Sequence, residues 1–300
     1  MKTKRFVSSL LALLLVCSLP VSAFADNWYL ENGDITVNAT ESGQTVTQGA
    51  QVDVPDSAPV ITQSNSEMPT TNTVTINADA GATANVTLSG VNIDVSGTGD
   101  VMAMQAGKAA VEITGNGDVT LELDGTNTVQ SGVWRAGVEK NTIEATETEA
   151  ASGKGNLTIT DENGTAGSLN ATGNAAGIGG SYEGSASNIT ITGSAKVIAQ
   201  GGSGGAGIGD GSDITISGSA EVTATGGENA SGIGGGFKGT GSDITVSEDA
   251  QVKAQGGVLD VRGDNFDGAG AAIGDGGAWN KDGDEVEPNT GALTPNGRIE

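Results

Sequence analysis

The sequence predicts an all-β solenoid whose coils have three sides, and two repeated features carry this prediction. A short strand that opens with Asn or Asp starts at positions 156, 188, 213 and 243, so the starts advance by 32, 25 and 30 residues. A Gly-Ile-Gly-like step recurs downstream of each opener, beginning at positions 177, 207, 232 and 272. Repeats of this length are single supersecondary units that bury their apolar side chains by stacking on their neighbours.

Alternation within the repeats predicts which side chains point inward. Hydroxyl residues alternate with apolar ones in the first strand, a second strand alternates likewise, and the third step contributes one isoleucine between small residues. Stacked coils would then place like residues above one another. The predicted inward residues are Leu157/Ile159, Ile189/Ile191, Ile214/Ile216 and Ile244/Val246, then Leu169/Ala171, Val197/Ala199, Val222/Ala224 and Val252/Ala254, then Ile178, Ile208, Ile233 and Ile273.

The same alternation extends toward the N-terminus, in segments 73–76, 85–95 and 110–129. We therefore predict β-helix repeats over 73–280, N-terminal strands or a cap over 26–72, and a polar tail or incomplete cap over 281–300. Segment 139–152 breaks the pattern, as either an excursion loop or one marginal helix. Asn188 and Asp213, just before strands, suit turns.

Residues 1–25 have the pattern of a signal peptide. A basic start is followed by an apolar run from Phe6 to Leu19 and by the small-x-small end Ala23-Phe-Ala25. Nothing after residue 25 is apolar for long enough to span a bilayer, so no membrane insertion is expected after cleavage. The chain is expected to be secreted or held at the cell surface.

Charge and composition exclude several classes of function. The chain carries 13 Lys and Arg against 37 Asp and Glu, and loss of Lys2, Lys4 and Arg5 with the signal leaves 10 against 37, a net charge of −27. Nucleic acids and anionic membranes need a basic surface, so neither is an expected partner. The chain has no histidine, and its one cysteine, Cys17, lies in the signal. Disulfides, thiolate nucleophiles, Ser-His-Asp triads and the usual zinc sites are thereby excluded from the mature chain.

An aromatic row is the first candidate site. Tyr182 follows Ile178 by four positions, Phe237 follows Ile233 by four, and Trp279 follows Ile273 by six. Sugar rings stack on flat aromatic faces, so the row predicts a glycan site on one rim of the coils. The alternative is that each ring covers its own Gly-rich loop. The repeat that ends at Asp210 lacks an aromatic residue, so the row has a gap.

Trp134 and Arg135 form a second candidate, because they stand where the third strand of an earlier coil should begin. A Trp-Arg pair on a rim can stack against a glycan and donate hydrogen bonds to it. The alternative is a local cap over segment 139–152.

Calcium is the candidate cofactor, because acidic side chains cluster on predicted turns and calcium prefers hard oxygen ligands. No cluster fits a known loop consensus. Residues 280–284 begin like an EF-hand, but Glu285 stands where glycine is required, and the glycine steps lack the calcium-binding nonapeptide pattern. The candidate ligands are Asp210, Asp213, Asp264, Asp267 and Asp275.

A polysaccharide lyase or hydrolase is a further alternative. Hydrolysis would need two carboxyl groups about 5 to 9.5 Å apart, and stacked turns could bring Asp210 near Asp275. A lyase would also need a Lys or Arg base, and bases are sparse. Analogy between folds is a weak basis for activity.

Residues 110–129 and the repeated Gly-Ile-Gly-Gly steps carry a family resemblance. Over roughly residues 70–280 the chain is similar to secreted proteins of Firmicutes that are described as carbohydrate-binding domain-containing. The resemblance implies a right-handed parallel β-helix of the pectin-lyase-like type, on a Gram-positive surface or released from it. It implies no catalytic residues.

Together these observations favour an exported, non-catalytic, lectin-like protein that binds a glycan or polysaccharide. The competing hypothesis is a structural or adhesive surface protein that binds host surface proteins. A polysaccharide lyase or hydrolase is the third.

Overall fold

The computed structural model describes residues 25–142, 152–258 and 269–277, together with short strands at 293–295 and 298–299. Within these residues the chain is almost entirely β, with one 3-10 helix at Leu30–Asn32. In chain order the strands are β1 (Asn27–Tyr29), β2 (Ile35–Thr40), β3 (Gly43–Gln48), β4 (Gln51–Pro55), β5 (Val60–Thr62), β6 (Val74–Ala78), β7 (Thr83–Ser89), β8 (Asn92–Asp94), β9 (Val111–Gly115), β10 (Asp118–Gln130), β11 (Val138–Lys140), β12 (Leu157–Thr160), β13 (Gly167–Thr172), β14 (Ile178–Gly179), β15 (Ile189–Ile191), β16 (Lys196–Gln200), β17 (Ile208–Gly209), β18 (Ile214–Ile216), β19 (Glu221–Thr225), β20 (Ile233–Gly234), β21 (Ile244–Val246), β22 (Gln251–Gln255), β23 (Ile273–Gly274), β24 (Leu293–Pro295) and β25 (Arg298–Ile299).

Most of these strands pair in parallel, and they form the three faces of a coil. Face A runs β1-β5-β7-β10-β12-β15-β18-β21-β24, and face C runs β8-β10-β13-β16-β19-β22-β25. Face B runs β2-β6-β9-β11-β14-β17-β20-β23. The long strand β10 turns a corner, since its first half pairs with β7 on face A and its second half pairs with β13 on face C. The predicted all-β, three-sided parallel β-helix is confirmed.

Identical or similar side chains stack from coil to coil. Ile189 pairs with Ile214, and Ile214 pairs with Ile244, on face A. The predicted ladder of face B, from Ile178 to Ile273, is likewise in register. These side chains are buried, apart from Ile273, which is half-buried in the last described coil of face B. Stacking thus produces one continuous apolar core along the inside of the coil.

The N-terminal end of face B is closed by antiparallel strands. β2 pairs in parallel with β6, but β3 pairs antiparallel with β2, and β4 antiparallel with β3. Beside them the indole Nε1 of Trp28 donates a hydrogen bond of 2.8 Å to Asp56. Such strands cover an edge that would otherwise pair with another chain.

Three of the four Asn or Asp residues that open the repeated strands of face A adopt the left-handed conformation. Asn188, Asp213 and Asp243 have φ values of 59°, 58° and 54°. Asn and Asp tolerate this region better than other residues with a Cβ, which explains why they recur here. The side chain of Asn188 donates to the carbonyl of Lys154 in the preceding coil, so it also links adjacent coils.

The glycine steps permit close backbone approach on face B. Gly179 has a φ of 141°, and a Cβ there would lie 1.9 Å from the carbonyl oxygen of Gly209 in the next coil. Glycine is required at this position because no other residue would fit.

The sequence predicts that the repeat pattern breaks at residue 139, but in the structure the strand continues through Lys140. Glu139 and Lys140 belong to β11 on face B, and both are buried. Residues 143–151 lie outside the described part of the chain. The alternation signal failed here because face B tolerates charged residues where they find partners, as shown below.

Replacing one inward residue tests the stacked core. We expect Ile216→Ala to lower the free energy of unfolding by about 3 kcal/mol, because the fully buried side chain leaves a cavity between Ile191 and Val246 of the adjacent coils. Thr215→Ala, one position along the same strand and pointing outward, should change it by less than about 1 kcal/mol. Urea unfolding followed by circular dichroism measures both. Equal losses in the two variants would contradict the predicted orientation.

Candidate functional site

The connection from face B back to face A varies in length between coils. Ile189 follows Ile178 by 11 positions, and Ile244 follows Ile233 by 11, whereas Ile214 follows Ile208 by 6. The middle coil is therefore five residues shorter at this corner. This difference explains why one of the sequence repeats is 25 residues long instead of 30 or more.

The longer connections fold back across face B. The backbone N–H of Tyr182 donates to the carbonyl of Trp134 at 2.9 Å, and that of Phe237 donates to the carbonyl of Gly204 at 2.7 Å. Each loop thereby reaches the corner between faces C and B in the coil before its own. The short connection of the middle coil forms no such loop.

An open groove of about 490 Å³ lies where that loop is missing. The Tyr182 loop borders it on one side and the Phe237 loop on the other. Glycines and Asp210 line it between them, and the corner residues Glu228 and Asn229 complete it. The lining residues are Ala175, Ser181, Tyr182, Glu183, Gly184, Ser203, Gly204, Gly205, Asp210, Glu228, Asn229, Gly236, Phe237, Lys238 and Gly239.

The structure brings three of the predicted aromatic residues to this side of the molecule. The rings of Trp134 and Tyr182 lie with their centroids 6.1 Å apart, tilted by 31°. Tyr182 is 55% exposed, so part of its surface remains available to a ligand. The Nζ of Lys238 lies 4.9 Å from the centroid of the Phe237 ring. Trp279, the third member of the predicted row, lies outside the described residues.

Arg135 is held by two carboxylates. Its Nη2 lies 2.6 Å from Glu112 Oε1, and its Nε lies 2.8 Å from Glu139 Oε2, the latter as an ion pair without good hydrogen-bond alignment. Burial raises the pKa of Glu139, and the Arg135 charge opposes that rise. Arg135 does not line the groove. The position of Arg135 favours a local structural contact over a role in binding a glycan.

Lys140 is a buried base that the sequence did not single out. Its Nζ donates to the carbonyl oxygens of Gly153 and Ser187, each at 2.7 Å. Burial, together with the nearby charge of Lys154, lowers its pKa to about 8. The bond to Gly153 ties the chain that follows residues 143–151 to face B, and the bond to Ser187 ties the connection of the next coil to the same lysine. The signal that could have identified it is its register with Gly180, because glycine or aspartate occupies this position in the later coils.

The side chain of Asp210 accepts a hydrogen bond that a backbone carbonyl accepts in the neighbouring coils. Its Oδ1 accepts a hydrogen bond of 2.9 Å from the N–H of Ala206. In the neighbouring coils the N–H at the equivalent position donates to a backbone carbonyl instead, that of Gly180 or of Gly235. Asp210 has a φ of 75°, which turns its own carbonyl away from that position.

The carboxyl group of Asp210 is enclosed by glycine backbone. A Cβ added at Gly236 would lie 2.4 Å from Asp210 Oδ1, and one added at Gly180 would lie 3.2 Å from Asp210 Cβ. This burial raises the pKa of Asp210 to about 8, and the Ala206 hydrogen bond offsets part of the rise. At neutral pH the groove therefore contains a largely protonated carboxyl group.

The predicted calcium ligands are not gathered into a common site within the described residues. Besides Asp210, Asp213 Oδ2 accepts from the Ser212 hydroxyl at 2.9 Å, and Asp275 Oδ1 accepts from the Gly241 N–H at 2.8 Å. Asp264 and Asp267 lie outside the described part. In that part, no three acidic, histidine or cysteine side chains are close enough to hold a metal ion. Calcium binding stays a prediction.

Comparisons with protein-family models, with curated proteins and with solved structures gave no match. Among the described residues, no helix has the length and apolar character needed to cross a membrane.

Asp210→Asn tests the enclosed carboxyl group. Its pKa lies near 3.8 in the unfolded chain and near 8 in the folded protein, so the folded state binds the extra proton between these values. The wild type should therefore lose stability as pH rises from about 4 to 8, whereas asparagine keeps an acceptor for Ala206 and does not titrate. We expect the variant to gain about 3.5 kcal/mol relative to the wild type between pH 5 and pH 8.

Chemical unfolding at several pH values measures this difference. Asp213→Asn is the matched control, because Asp213 is exposed at the adjoining turn and its left-handed backbone suits asparagine. A pH dependence that is the same in Asp210→Asn and the wild type would show that the carboxyl group is not enclosed.

Proposed function

We propose that this chain is an exported, non-catalytic, carbohydrate-binding protein of the bacterial surface, and that it holds a saccharide in the groove between Tyr182 and Phe237. One observation carries the proposal. A coil shortened by five residues leaves a groove between the loops that carry these two aromatic residues. Export rests on the signal-like pattern of residues 1–25.

The chemistry of the groove suits a sugar. Aromatic side chains offer flat apolar surface to the C–H face of a sugar ring, at a small loss of conformational entropy. Carboxyl, amide and backbone groups between them can bind the hydroxyls. A volume of about 490 Å³ lies within the usual range of small-molecule sites.

Binding is favoured over hydrolysis or elimination. A raised pKa is what a general acid needs, and Asp210 has one. Its carboxyl group, however, already closes the coil in place of a backbone carbonyl, by accepting from Ala206. Lys140, the buried base, is engaged with two carbonyls away from the groove.

Removing the aromatic residues tests the site. We expect Tyr182→Ala and Phe237→Ala each to weaken saccharide binding about tenfold, because each loses a stacking surface. The measurement is a glycan array of residues 26–300, followed by calorimetry on the best ligand. Tyr29→Ala, a partly exposed tyrosine near the N-terminal end, is the control and should bind normally. A blank array with folded protein would reject the proposal.

Filling the groove is an independent test that leaves both aromatic residues in place. Residues 210–212 of the short coil can be replaced by residues 235–242, which restores the length of the neighbouring connections. The grafted loop should fold across the middle coil and abolish binding. A thermal melt like that of the wild type would show that the coil is intact, and undiminished binding would place the site elsewhere.

A second candidate function, adhesion to host surface proteins, has its own supporting observation. A tight hairpin is closed by two backbone hydrogen bonds between Asp100 and Gln105, of 2.8 and 2.9 Å. Its tip exposes Val101 together with Met102 and Met104, which are 93% and 81% exposed. Exposed methionines adapt well to protein surfaces, which suits an adhesive contact.

Polar replacements on this hairpin separate the two functions. If the chain is an adhesin, the double variant Met102→Ser/Met104→Ser should lower attachment to host cells at least threefold, because the apolar contact is lost. Met68→Ser, at an exposed methionine elsewhere, should have no effect. Unchanged attachment in the double variant would reject the hairpin as an adhesive surface, whatever the glycan result.

A further inference from the structure

We propose that the groove prefers saccharides that carry free amino groups over their N-acetylated or acidic counterparts. This inference rests on the proposed function, since it concerns the ligand of the same groove. It is carried by the charges, the hydrogen-bonding groups and the shape of the lining.

Carboxyl groups outnumber cations along the groove. Glu183 and Glu228 line it, against the single ammonium of Lys238, and the largely protonated Asp210 adds a third carboxyl group. These carboxyl groups come from three successive coils, so they are distributed along the groove instead of clustered at one point. A protonated amine is attracted to such a lining, and a uronate or sulfate group is repelled by it.

The ammonium of Lys238 and the carboxyl group of Glu183 border opposite sides of the groove. The ammonium of Lys238 lies over the ring of Phe237, on one side. Glu183 follows Tyr182 directly on the other side, where it is exposed at a left-handed turn with a φ of 59°. A sugar stacked on Tyr182 would therefore place an amino group on the acidic side.

Three glycine N–H groups around the groove are already committed within the protein. The N–H groups of Gly204 and Gly205 donate to Glu228 and Gly202, and that of Gly239 donates to Gly236. The hydroxyl of Ser203 lies 3.3 Å from a carboxyl oxygen of Glu228. An N-acetyl carbonyl needs a donor, whereas an amine needs acceptors, and Glu183, Asp210 and Glu228 supply acceptors.

Asp210 supplies an acceptor in the interior of the groove. Its Oδ1 is bonded to Ala206, while its Oδ2 has no hydrogen-bond partner among the described residues. Because an ammonium ion beside a carboxyl group favours the ionised form, an amine ligand would turn this buried group into a charged acceptor.

The net charge of the whole chain also favours cationic saccharides. The mature net charge of −27 follows from 10 basic and 37 acidic residues. Such a field attracts cationic saccharides and repels anionic ones at long range, and salt weakens it. The carboxyl groups of the groove add a short-range attraction, which salt screens less and which depends on particular residues.

Calorimetry with three tetrasaccharides tests the inference: tetramers of glucosamine, of N-acetylglucosamine and of galacturonic acid, at pH 6 and 0.15 M salt. We expect the glucosamine tetramer to bind about tenfold more tightly than the N-acetylglucosamine tetramer, and the galacturonic acid tetramer not to bind measurably. Equal affinity for the first two would overturn the amine preference and leave the glycan proposal standing.

A matched pair of variants separates the groove from the overall field. Glu183→Gln should reduce the preference for the glucosamine tetramer about fivefold. Glu67→Gln makes the same charge change at an exposed site near the N-terminal end and should leave the preference unchanged. If both variants reduce the preference equally, the overall field is responsible and the groove assignment is wrong.

The two proposals fail in different ways. Array hits without binding of any of the three tetramers would overturn the amine preference alone. No binding of any glycan, by folded protein, would overturn the proposed function and this inference together.

Discussion

The stacking of like side chains at the spacing of parallel strands is the interaction on which the rest of this structure depends. No coil can bury its own isoleucines, and each does so by lying on its neighbour, with Ile214 in register between Ile189 and Ile244. Backbone hydrogen bonds between coils hold that register. The second glycine of each step allows the short strands of face B to approach closely, because a Cβ there would collide with the next coil.

The stacked core fixes the positions of the strands, whereas the loops at the corners can differ in length. A change in loop length at a corner shifts no buried residue, because the coils on either side remain in register. The middle coil uses this freedom, since its connection is five residues shorter than those of its neighbours. The groove is thus the space of a missing loop. Asp210 keeps the shortened corner closed by accepting from Ala206 in place of a carbonyl.

Charged groups enter this core where the chain leaves the regular coil. Arg135, Glu139 and Lys140 stand at the start of the 143–151 segment, and all three have partners of opposite charge or carbonyl oxygens. Burying such groups costs solvation energy, which partners only offset, so they add little to stability. They do fix where the segment leaves and returns. Just outside them lies the Trp134–Tyr182 pair, at the edge of the groove.

The sequence by itself determined the three-sided coil, because alternation and repeat length depend only on which residues recur at which interval. It also indicated Tyr182, Phe237 and Trp279 as a row on one rim with a gap at Asp210, and Trp134 with Arg135 as a separate candidate. It did not reveal that the gap is a groove, that Arg135 is tied to Glu112, or that Lys140 is buried. Those facts depend on how loops of different coils fold across face B, and contacts between residues some 40 positions apart have no periodic signal. Tertiary structure alone decided them, because loop direction is set by the neighbouring coil.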